Sequence, residues 1–223
     1  MKINYVIKHF IGTFLFFTIL FISVGRIDYW QGLIYVFLGL IMTILNYTFL
    51  RIDADLIMER SKPGEGTKKW DKIILGLSLL TTIFNFVIAG LDSGRYHWSP
   101  YFHWSIYLLG IFLTASGQLL FLIAQKQNKF FSSTARTQID RKQIVSDLGL
   151  CKIVRHPAYM SSIIQSLGFP LLFGSLWSFI PICLMILLLI TRTNLEDKTL
   201  KNELQGYLEY ANRTRYRIIP FVW

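Results

Sequence analysis

Long uncharged runs of apolar residues alternate with polar, basic segments along this chain. These runs cover residues 10–24, 30–50, 73–91, 101–124 and 157–191. A helix needs about 20 apolar residues to cross the hydrocarbon core of a bilayer. The last run is long enough for two helices, and Gly168, Pro170 and Gly174 near its middle favour a turn. The pattern therefore predicts six transmembrane helices, of which the last two form a hairpin.

The composition also indicates a membrane protein. Hydrophobic residues make up 53% of the 223 residues, which is more apolar surface than a soluble domain of this size can bury. The first apolar run follows Lys2 and Lys8, as in a secretory signal sequence. No convincing small-x-small cleavage site follows it, so an ordinary first transmembrane helix is favoured. The expected fold class is all-α, a polytopic membrane protein.

The positive charges are distributed unevenly between the two sides of this predicted topology. The chain has 23 Lys and Arg residues and a formal net charge of +10. Of those residues, 21 fall in the two termini, in the loop between spans two and three, or in the loop between spans four and five. Only Arg26 and Arg95 fall on the other side. The positive-inside rule therefore places both termini in the cytosol, as an even number of spans requires. Topology and attraction to anionic lipid account for the basic excess, so no nucleic-acid partner is expected.

The two halves of the chain differ in character. Residues 1–124 are expected to form a four-helix transmembrane scaffold, because their connectors are short and few polar residues interrupt the spans. Residues 125–223 are expected to carry the function: a polar loop, the hairpin and a C-terminal polar helix on the membrane surface. Of the two cysteines, Cys151 lies in this loop and Cys183 in a predicted span, so neither a disulfide nor a zinc site is expected.

The predicted hairpin brings two polar clusters to the same membrane boundary. The clusters are Arg155, His156 and Tyr159 at its start, and Arg192, Glu196 and Asp197 at its end. With the loop before them, they could form a pocket that is polar towards the cytosol and open towards lipid. Such a pocket suits a reaction between a water-soluble cofactor and a lipid-borne substrate.

Each of these residues also has a purely structural interpretation. Arg155 and Arg192 could be snorkelling anchors at helix ends. His156 before Pro157 could cap a helix. Thr193 and Glu196 have the spacing of a capping box, which would begin a new helix after the last span.

Three ordered blocks around the hairpin resemble a known family. Val154-Arg155-His156-Pro157-Ala158-Tyr159, preceded by Gly149, is similar to the signature of isoprenylcysteine carboxyl methyltransferases and related phospholipid methyltransferases. Residues 128–141 resemble a segment common in bacterial members. Arg192, Glu196-Asp197, Leu200 and the Gly206-Tyr207 to Tyr210 stretch resemble the family's downstream series. The resemblance extends over about residues 128–220.

The resemblance implies S-adenosyl-L-methionine as cofactor and nominates residues by position. The implied cofactor-binding residues are Arg136, Gln138, Gln143, Ile144, Val145, Ser146, Cys151, His156, Pro157, Ala158, Tyr159 and Glu196. The implied catalytic residue is Arg192, which faces the substrate in the family. Cys151 stands where the family usually has a cofactor-contacting Tyr, and Asp197 replaces a second Glu. Both departures affect what can be inferred about cofactor affinity and substrate choice.

The expected reaction is methyl transfer to a lipid-like or small hydrophobic acceptor, for which an isoprenylcysteine-type carboxylate is one candidate. The sulfonium carries its own leaving group, so the protein needs mainly to align the reactants and exclude water, and no metal is required. Glu196 could bind the cofactor's ribose or amino group, and Tyr159 could attract the sulfonium. Arg192 could pair with a carboxylate acceptor, whereas a thiol or amine would need a base such as His156.

Two other classes of function stay open at this point. A nicotinamide-dependent membrane reductase of an isoprenoid or steroid can carry a similar Arg-His-Pro block, although the acidic pair at Glu196 and Asp197 argues against it. A non-catalytic membrane scaffold or transporter would bind no cofactor. The oligomeric state is left open by the sequence. The bilayer and the hydrophobic acceptor are the expected partners.

Overall fold

The computed structural model describes the backbone of residues 2–48, Glu59 and 65–223, with side chains from residue 11 onward. Over these residues the fold is all-helical and contains no β-strand, which confirms the expected class. The long helices are α1 (Lys2–Val24), α2 (Trp30–Thr48), α3 (Lys69–Ala89), α4 (Trp104–Gln127), α5 (Pro157–Phe173) and α6 (Phe179–Glu203). A π-helix (Gly90–Tyr96) extends α3, and a short α7 covers Tyr207–Arg213.

Six long helices thus occupy the six segments in which spans are predicted. Among the described residues, four helices are long and apolar enough to cross a membrane: α2, α3 with its π-helical extension, α4 and α6. The apolar part of α1 described here is Ile11–Val24, and α5 has 17 residues. The chain is an integral membrane protein, and the crossing of all six helices stays a prediction.

Aromatic and aliphatic side chains of α1, α3 and α5 form the main core. Leu20, Phe86, Leu172 and Phe173 are at most 1% exposed. Tyr29, which precedes α2, donates its hydroxyl hydrogen bond to the Phe173 carbonyl at 3.1 Å. Many outward-facing residues of the long helices are large and apolar. Such exposure would be costly in water but is what a bilayer requires.

Helices α4 and α5 approach each other closely through glycine. A Cβ on Gly110 would lie 2.3 Å from the backbone nitrogen of Leu172, and one on Gly117 would lie 2.4 Å from that of Gln165. Small residues of this kind allow two membrane helices to pack backbone to backbone. The contact fixes the start of α5 relative to the end of α4, and the candidate site is built at this end of the two helices.

We expect Gly117→Ala to lower the free energy of unfolding by about 1–3 kcal/mol, because the added methyl group overlaps the backbone of α5. Gly76→Ala in α3 is the matched control, since a Cβ there has no neighbour within 4 Å. It is expected to be neutral or slightly stabilising, because alanine is the better helix former. Unfolding in detergent measures both. Equal effects would show that the α4–α5 contact is looser than described.

The hairpin turns near the predicted position. Gly174 ends α5 in the left-handed conformation, with φ of +69°, and the turn continues to Ser178. Buried Asp92, in the π-helix, accepts hydrogen bonds from the Ser175 hydroxyl at 2.5 Å and the Ser99 hydroxyl at 2.6 Å. Gly168 and Pro170 lie inside α5 rather than in the turn. Gly168 packs against Thr114 of α4.

The chain after the last span differs from its prediction. Helix α6 continues without interruption through Glu203, so no separate surface helix begins at residue 195. The Thr193 hydroxyl donates to the Leu189 carbonyl one turn earlier. The capping-box interpretation of Thr193 and Glu196 is therefore wrong, and the Glu196 side chain is available for another role.

Candidate functional site

A cavity of about 300 Å³ lies at the end of the bundle where α4 ends, α5 begins and α6 ends. Its volume is at the lower end of the range for small-molecule sites. All thirteen residues nominated from the sequence line this cavity. They are Arg136, Gln138, Gln143, Ile144, Val145, Ser146, Cys151, His156, Pro157, Ala158, Tyr159, Arg192 and Glu196. The structure thus brings the nominated residues together, while their roles stay predictions.

Asp197 is the centre of a buried ionic network beside the cavity. Its carboxylate is 1% exposed and accepts two hydrogen bonds from Arg155, from Nε at 2.7 Å and from Nη2 at 3.1 Å. Arg217 and the Tyr207 hydroxyl also donate to it, at 3.1 and 3.0 Å, and Lys201 lies 3.3 Å away. Burial raises the pKa of Tyr207, and Asp197 raises it further, so this hydroxyl stays protonated and donates.

Arg155 also holds the C-terminal segment in place. Its Nη1 donates to the Thr214 carbonyl at 2.7 Å, and its backbone N–H donates to the Tyr216 carbonyl at 2.9 Å. The next backbone N–H, of His156, donates to the Arg217 carbonyl at 2.9 Å. The Arg155 side chain is only 4% exposed, so it is a buried structural clamp and the snorkelling interpretation is wrong for it.

His156 occupies the N-cap position of α5, but its side chain makes no capping hydrogen bond. Its Nε2 lies 3.4 Å from the Tyr207 hydroxyl and 3.6 Å from Asp197. The ring stacks on Tyr159, with the two rings 10° apart in orientation. The Asp197 network therefore orients the imidazole, and the imidazole supports the Tyr159 ring that lines the cavity.

Tyr159 and Glu196 join the start of α5 to the end of α6. The Tyr159 hydroxyl donates to Oε2 of Glu196. Glu196 is the only acidic residue among the described residues that line the cavity. Because one carboxylate oxygen is held by Tyr159, the carboxylate is fixed in orientation while its other oxygen is available to a ligand.

Arg192 is held by a residue from the N-terminal half. Its Nε donates to Oδ1 of Asp71 at 2.7 Å, and its Nη2 donates to the Ser133 carbonyl at 3.1 Å. Its guanidinium carbon lies 5.3 Å from the centre of the Tyr159 ring. Arg192 is thus a mostly buried, ion-paired residue of the cavity wall rather than a snorkelling anchor.

The side chains of two nominated residues, Arg136 and Gln138, stabilise the conformation of the polar loop before α5. Arg136 pairs with Glu59 at 2.8 Å and with Asp140 at 2.8 Å, and both partners raise its pKa. Gln138 donates to the Phe130 carbonyl at 2.5 Å and accepts from Arg141 at 2.6 Å. These side chains are engaged within the protein, so any contact of these two residues with a ligand would be made mainly through their backbone.

Cys151 lies in a turn of 3₁₀-helix (Gly149–Lys152) at the cavity wall. Burial raises the pKa of its thiol, so the thiol is neutral and poorly suited to act as a nucleophile. Its carbonyl accepts a hydrogen bond from the Tyr210 hydroxyl at 2.7 Å. The Tyr210 ring also packs at the wall, so an aromatic residue of α7 lines the cavity next to Cys151.

Several residues at the site were not nominated from the sequence. Tyr207, Tyr210, Thr199 and Leu200 line the cavity from α6 and α7, and Asp71 supports it from α3. The sequence around Asp71 does contain a signal for a buried ion pair. Asp71 is an acidic residue in the first turn of an apolar helix that follows a basic segment, so a partner in the same boundary layer was to be expected.

The fold and the site define a helical membrane protein with a polar cavity at one end of its bundle. Residues 105–205, from α4 to just beyond α6, match the family model of phospholipid methyltransferases, a family that includes isoprenylcysteine carboxyl methyltransferases. This match confirms the resemblance to that family read from the motifs. No curated protein gives a significant match to the chain. The match includes α4, which the predicted division at residue 124 assigned to the scaffold.

Proposed function

We propose that this membrane methyltransferase uses S-adenosyl-L-methionine and transfers the methyl group to a lipid-like or hydrophobic acceptor. The observation that carries the proposal is the position of the cavity. It lies within the family-matched region, at one end of helices long enough to cross a bilayer, and it is lined by every residue that the family motifs nominate. The cofactor would enter from the aqueous side and the acceptor from the lipid side.

The charges around the cavity fit a positively charged ligand. Three arginines line the cavity, and each forms an ion pair with a protein carboxylate: Arg136 with Glu59, Arg155 with Asp197, and Arg192 with Asp71. Glu196 has no such cationic partner among the described residues. The charge of Arg192 also acts on Glu196, but the nearest ion-pair partner of Arg192 is Asp71. Glu196 therefore presents to the cavity a carboxylate that forms no salt bridge with a described residue, and this group would favour a sulfonium over its neutral product.

The residues of the chain would act by positioning. The cofactor supplies a methyl group that is already activated on a sulfonium. Glu196, fixed by Tyr159, would bind the cofactor, and Arg192 would orient the acceptor. The Arg192 guanidinium already lies over the Tyr159 ring. The group proposed to attract the sulfonium is therefore Glu196 rather than Tyr159. If the acceptor needs a base, Nδ1 of His156 is the candidate atom, because Nε2 faces Asp197 and Tyr207.

We infer that the cavity end of the bundle faces the cytosol. At this end of the helices, Lys68 and Lys69 lie at the start of α3, Lys126 lies in the last turn of α4, and Lys129 and Arg141 follow α4. The positive-inside rule supports this orientation. It would also give the cavity access to a soluble cofactor made in the cytosol.

Methyl transfer tests the proposal directly. The purified protein in detergent micelles is mixed with tritium-labelled S-adenosyl-L-methionine and either a total polar lipid extract or an S-farnesylated cysteine with a free carboxylate. Tritium in the organic phase above a heat-denatured sample is the expected result. No transfer to either acceptor would contradict the proposed activity on lipid-like acceptors.

We expect Glu196→Gln to weaken the binding of sinefungin, whose amine carries the positive charge of the sulfonium position, by about tenfold or more. The loss for neutral S-adenosylhomocysteine should be smaller. Glu203→Gln is the matched control on the same helix, because Glu203 does not line the cavity and its carboxylate is bound by Lys68 and Thr137. Titration calorimetry measures all three proteins. Equal losses for the two ligands would show that Glu196 does not recognise the positive charge.

A further inference from the structure

Asp71 lies in the first turn of α3, outside the family-matched residues 105–205. Its side chain is completely buried, and its two oxygens have three hydrogen-bond donors. Oδ1 accepts from Nε of Arg192 at 2.7 Å, while Oδ2 accepts from Nη2 of Arg192 at 3.3 Å and from the Ala135 backbone N–H at 2.7 Å. One carboxylate of the N-terminal half therefore contacts both the nominated catalytic arginine and the loop that lines the cavity.

These bonds determine which part of Arg192 is free. The Nε and Nη2 edge of the guanidinium is engaged by Asp71 and by the Ser133 carbonyl. Nη1 has no hydrogen-bond partner among the described residues, although Arg192 lines the cavity. The arginine can therefore offer a ligand one nitrogen, rather than the two-pronged edge that arginine often presents to a carboxylate.

We propose that Asp71 is a positioning residue for methyl transfer. It holds Arg192 by one edge so that Nη1 is directed to the acceptor, and it ties this orientation to the loop through Ala135. It also compensates the arginine's charge. An anionic acceptor is then oriented without a strong ion pair that would lower its nucleophilicity. This inference rests on the proposed methyltransferase function and extends the site beyond the family-matched region.

A purely structural role for Asp71, joining α3 to α6, is the alternative to be distinguished. Asp92 provides the matched control, because it is equally buried in the π-helical extension of α3. Its partners among the described residues lie at the opposite end of the helix. They are the hydroxyl groups of Ser99 and Ser175 and the backbone N–H groups of Ser99 and Trp177, and none of them is an arginine. Asp71→Asn and Asp92→Asn each remove one buried charge from the same helix, but only the first changes the surroundings of Arg192.

The orientation of Arg192 can be measured without any acceptor. Phenylglyoxal modifies free guanidinium groups, and mass spectrometry of the peptide that carries Arg192 gives the rate of its modification. We expect Arg192 to be modified severalfold faster in Asp71→Asn than in the wild-type protein, and at the wild-type rate in Asp92→Asn. The same rate in all three proteins would overturn the inference. Titration of the wild-type protein with S-adenosylhomocysteine in parallel tests the proposed function. Absence of binding would contradict that function but would leave the Asp71–Arg192 pair untouched.

A double-mutant cycle on turnover completes the test. We expect Asp71→Asn to lower kcat by about ten- to a hundredfold while the affinity for S-adenosylhomocysteine stays within about threefold, because misplacement of a positioning group affects the reacting geometry. Asp71→Glu should restore part of the loss. In an Arg192→Ala background, Asp71→Asn should have little further effect. Additive effects of the two substitutions would overturn the positioning role.

Discussion

Replacing Asp197 with alanine is expected to lower the free energy of unfolding by about 3–5 kcal/mol, the cost of leaving buried charges without their partner. Arg155, itself 4% exposed, would lose both bonds of its Nε and Nη2. Arg217 and Lys201 would also lose their shared carboxylate. Because Arg155 holds the C-terminal segment at Thr214 and Tyr216, this segment is expected to detach first.

Unfolding of the detergent-solubilised protein, followed by circular dichroism, measures this effect. Asp147→Ala is the matched control, because Asp147 also pairs with an arginine, Arg213, at 3.2 Å. The two side chains of that pair are 40% and 70% exposed, so its loss should cost less than about 1 kcal/mol. A similar small loss for both variants would mean that Asp197 is not the structural centre of the site.

Replacing Arg192 with alanine is expected to lower kcat by about a hundredfold or more, with little change in the affinity for S-adenosylhomocysteine. The reason is that Arg192 lines the cavity and its Nη1 has no hydrogen-bond partner among the described residues. The proposed cofactor-binding group is instead Glu196, one helical turn away. Arg192→Lys keeps the charge but loses the fork that Asp71 holds, so it should restore only part of the activity.

Tritium transfer to the active acceptor measures turnover in these variants, and titration calorimetry measures ligand affinity. Lys198→Ala is the control on the same helix, because Lys198 is exposed and lies outside the cavity lining. An Arg192→Ala protein that retains full turnover would remove Arg192 from the catalytic role. Loss of S-adenosylhomocysteine binding in this variant would instead assign Arg192 to the cofactor.

The helices and the set of cavity residues could be predicted from the sequence for different reasons. Apolar length gave the positions of the helices, since a bilayer restricts how a long apolar run can fold. The hairpin then required that the polar groups at its two ends meet. The family motifs contributed the loop residues, including Gln143 to Ser146, which periodicity alone could not have placed at the cavity.

The partners of the charged residues could not be predicted in the same way. Arg192 pairs with Asp71, and Arg136 pairs with Glu59, in each case across a long stretch of chain. Which carboxylate meets which arginine depends on how α3, α6 and the loop after α4 pack together, and that packing has no local sequence signal. The capping-box pattern at Thr193 was misleading because a continuing helix satisfies its backbone groups without a cap.

These pairs change the interpretation of a strongly basic sequence. The arginines at the cavity are paired with Asp71, Asp197 and Glu59, so the net charge of +10 does not by itself predict an anionic ligand. Glu196 is the acidic residue among the described residues that line the cavity, and we propose that it favours a positively charged ligand. The proposed cationic cofactor is therefore compatible with a strongly basic chain.

Titration of the purified protein with S-adenosylhomocysteine tests the central claim most directly, with NADPH as the rival ligand and His156→Ala as the site variant. The proposed function predicts saturable binding of S-adenosylhomocysteine, a marked loss of that binding in His156→Ala, where the stacking support of Tyr159 is removed, and no binding of NADPH. Saturable binding of NADPH without binding of S-adenosylhomocysteine would contradict it and assign the cavity to a reductase.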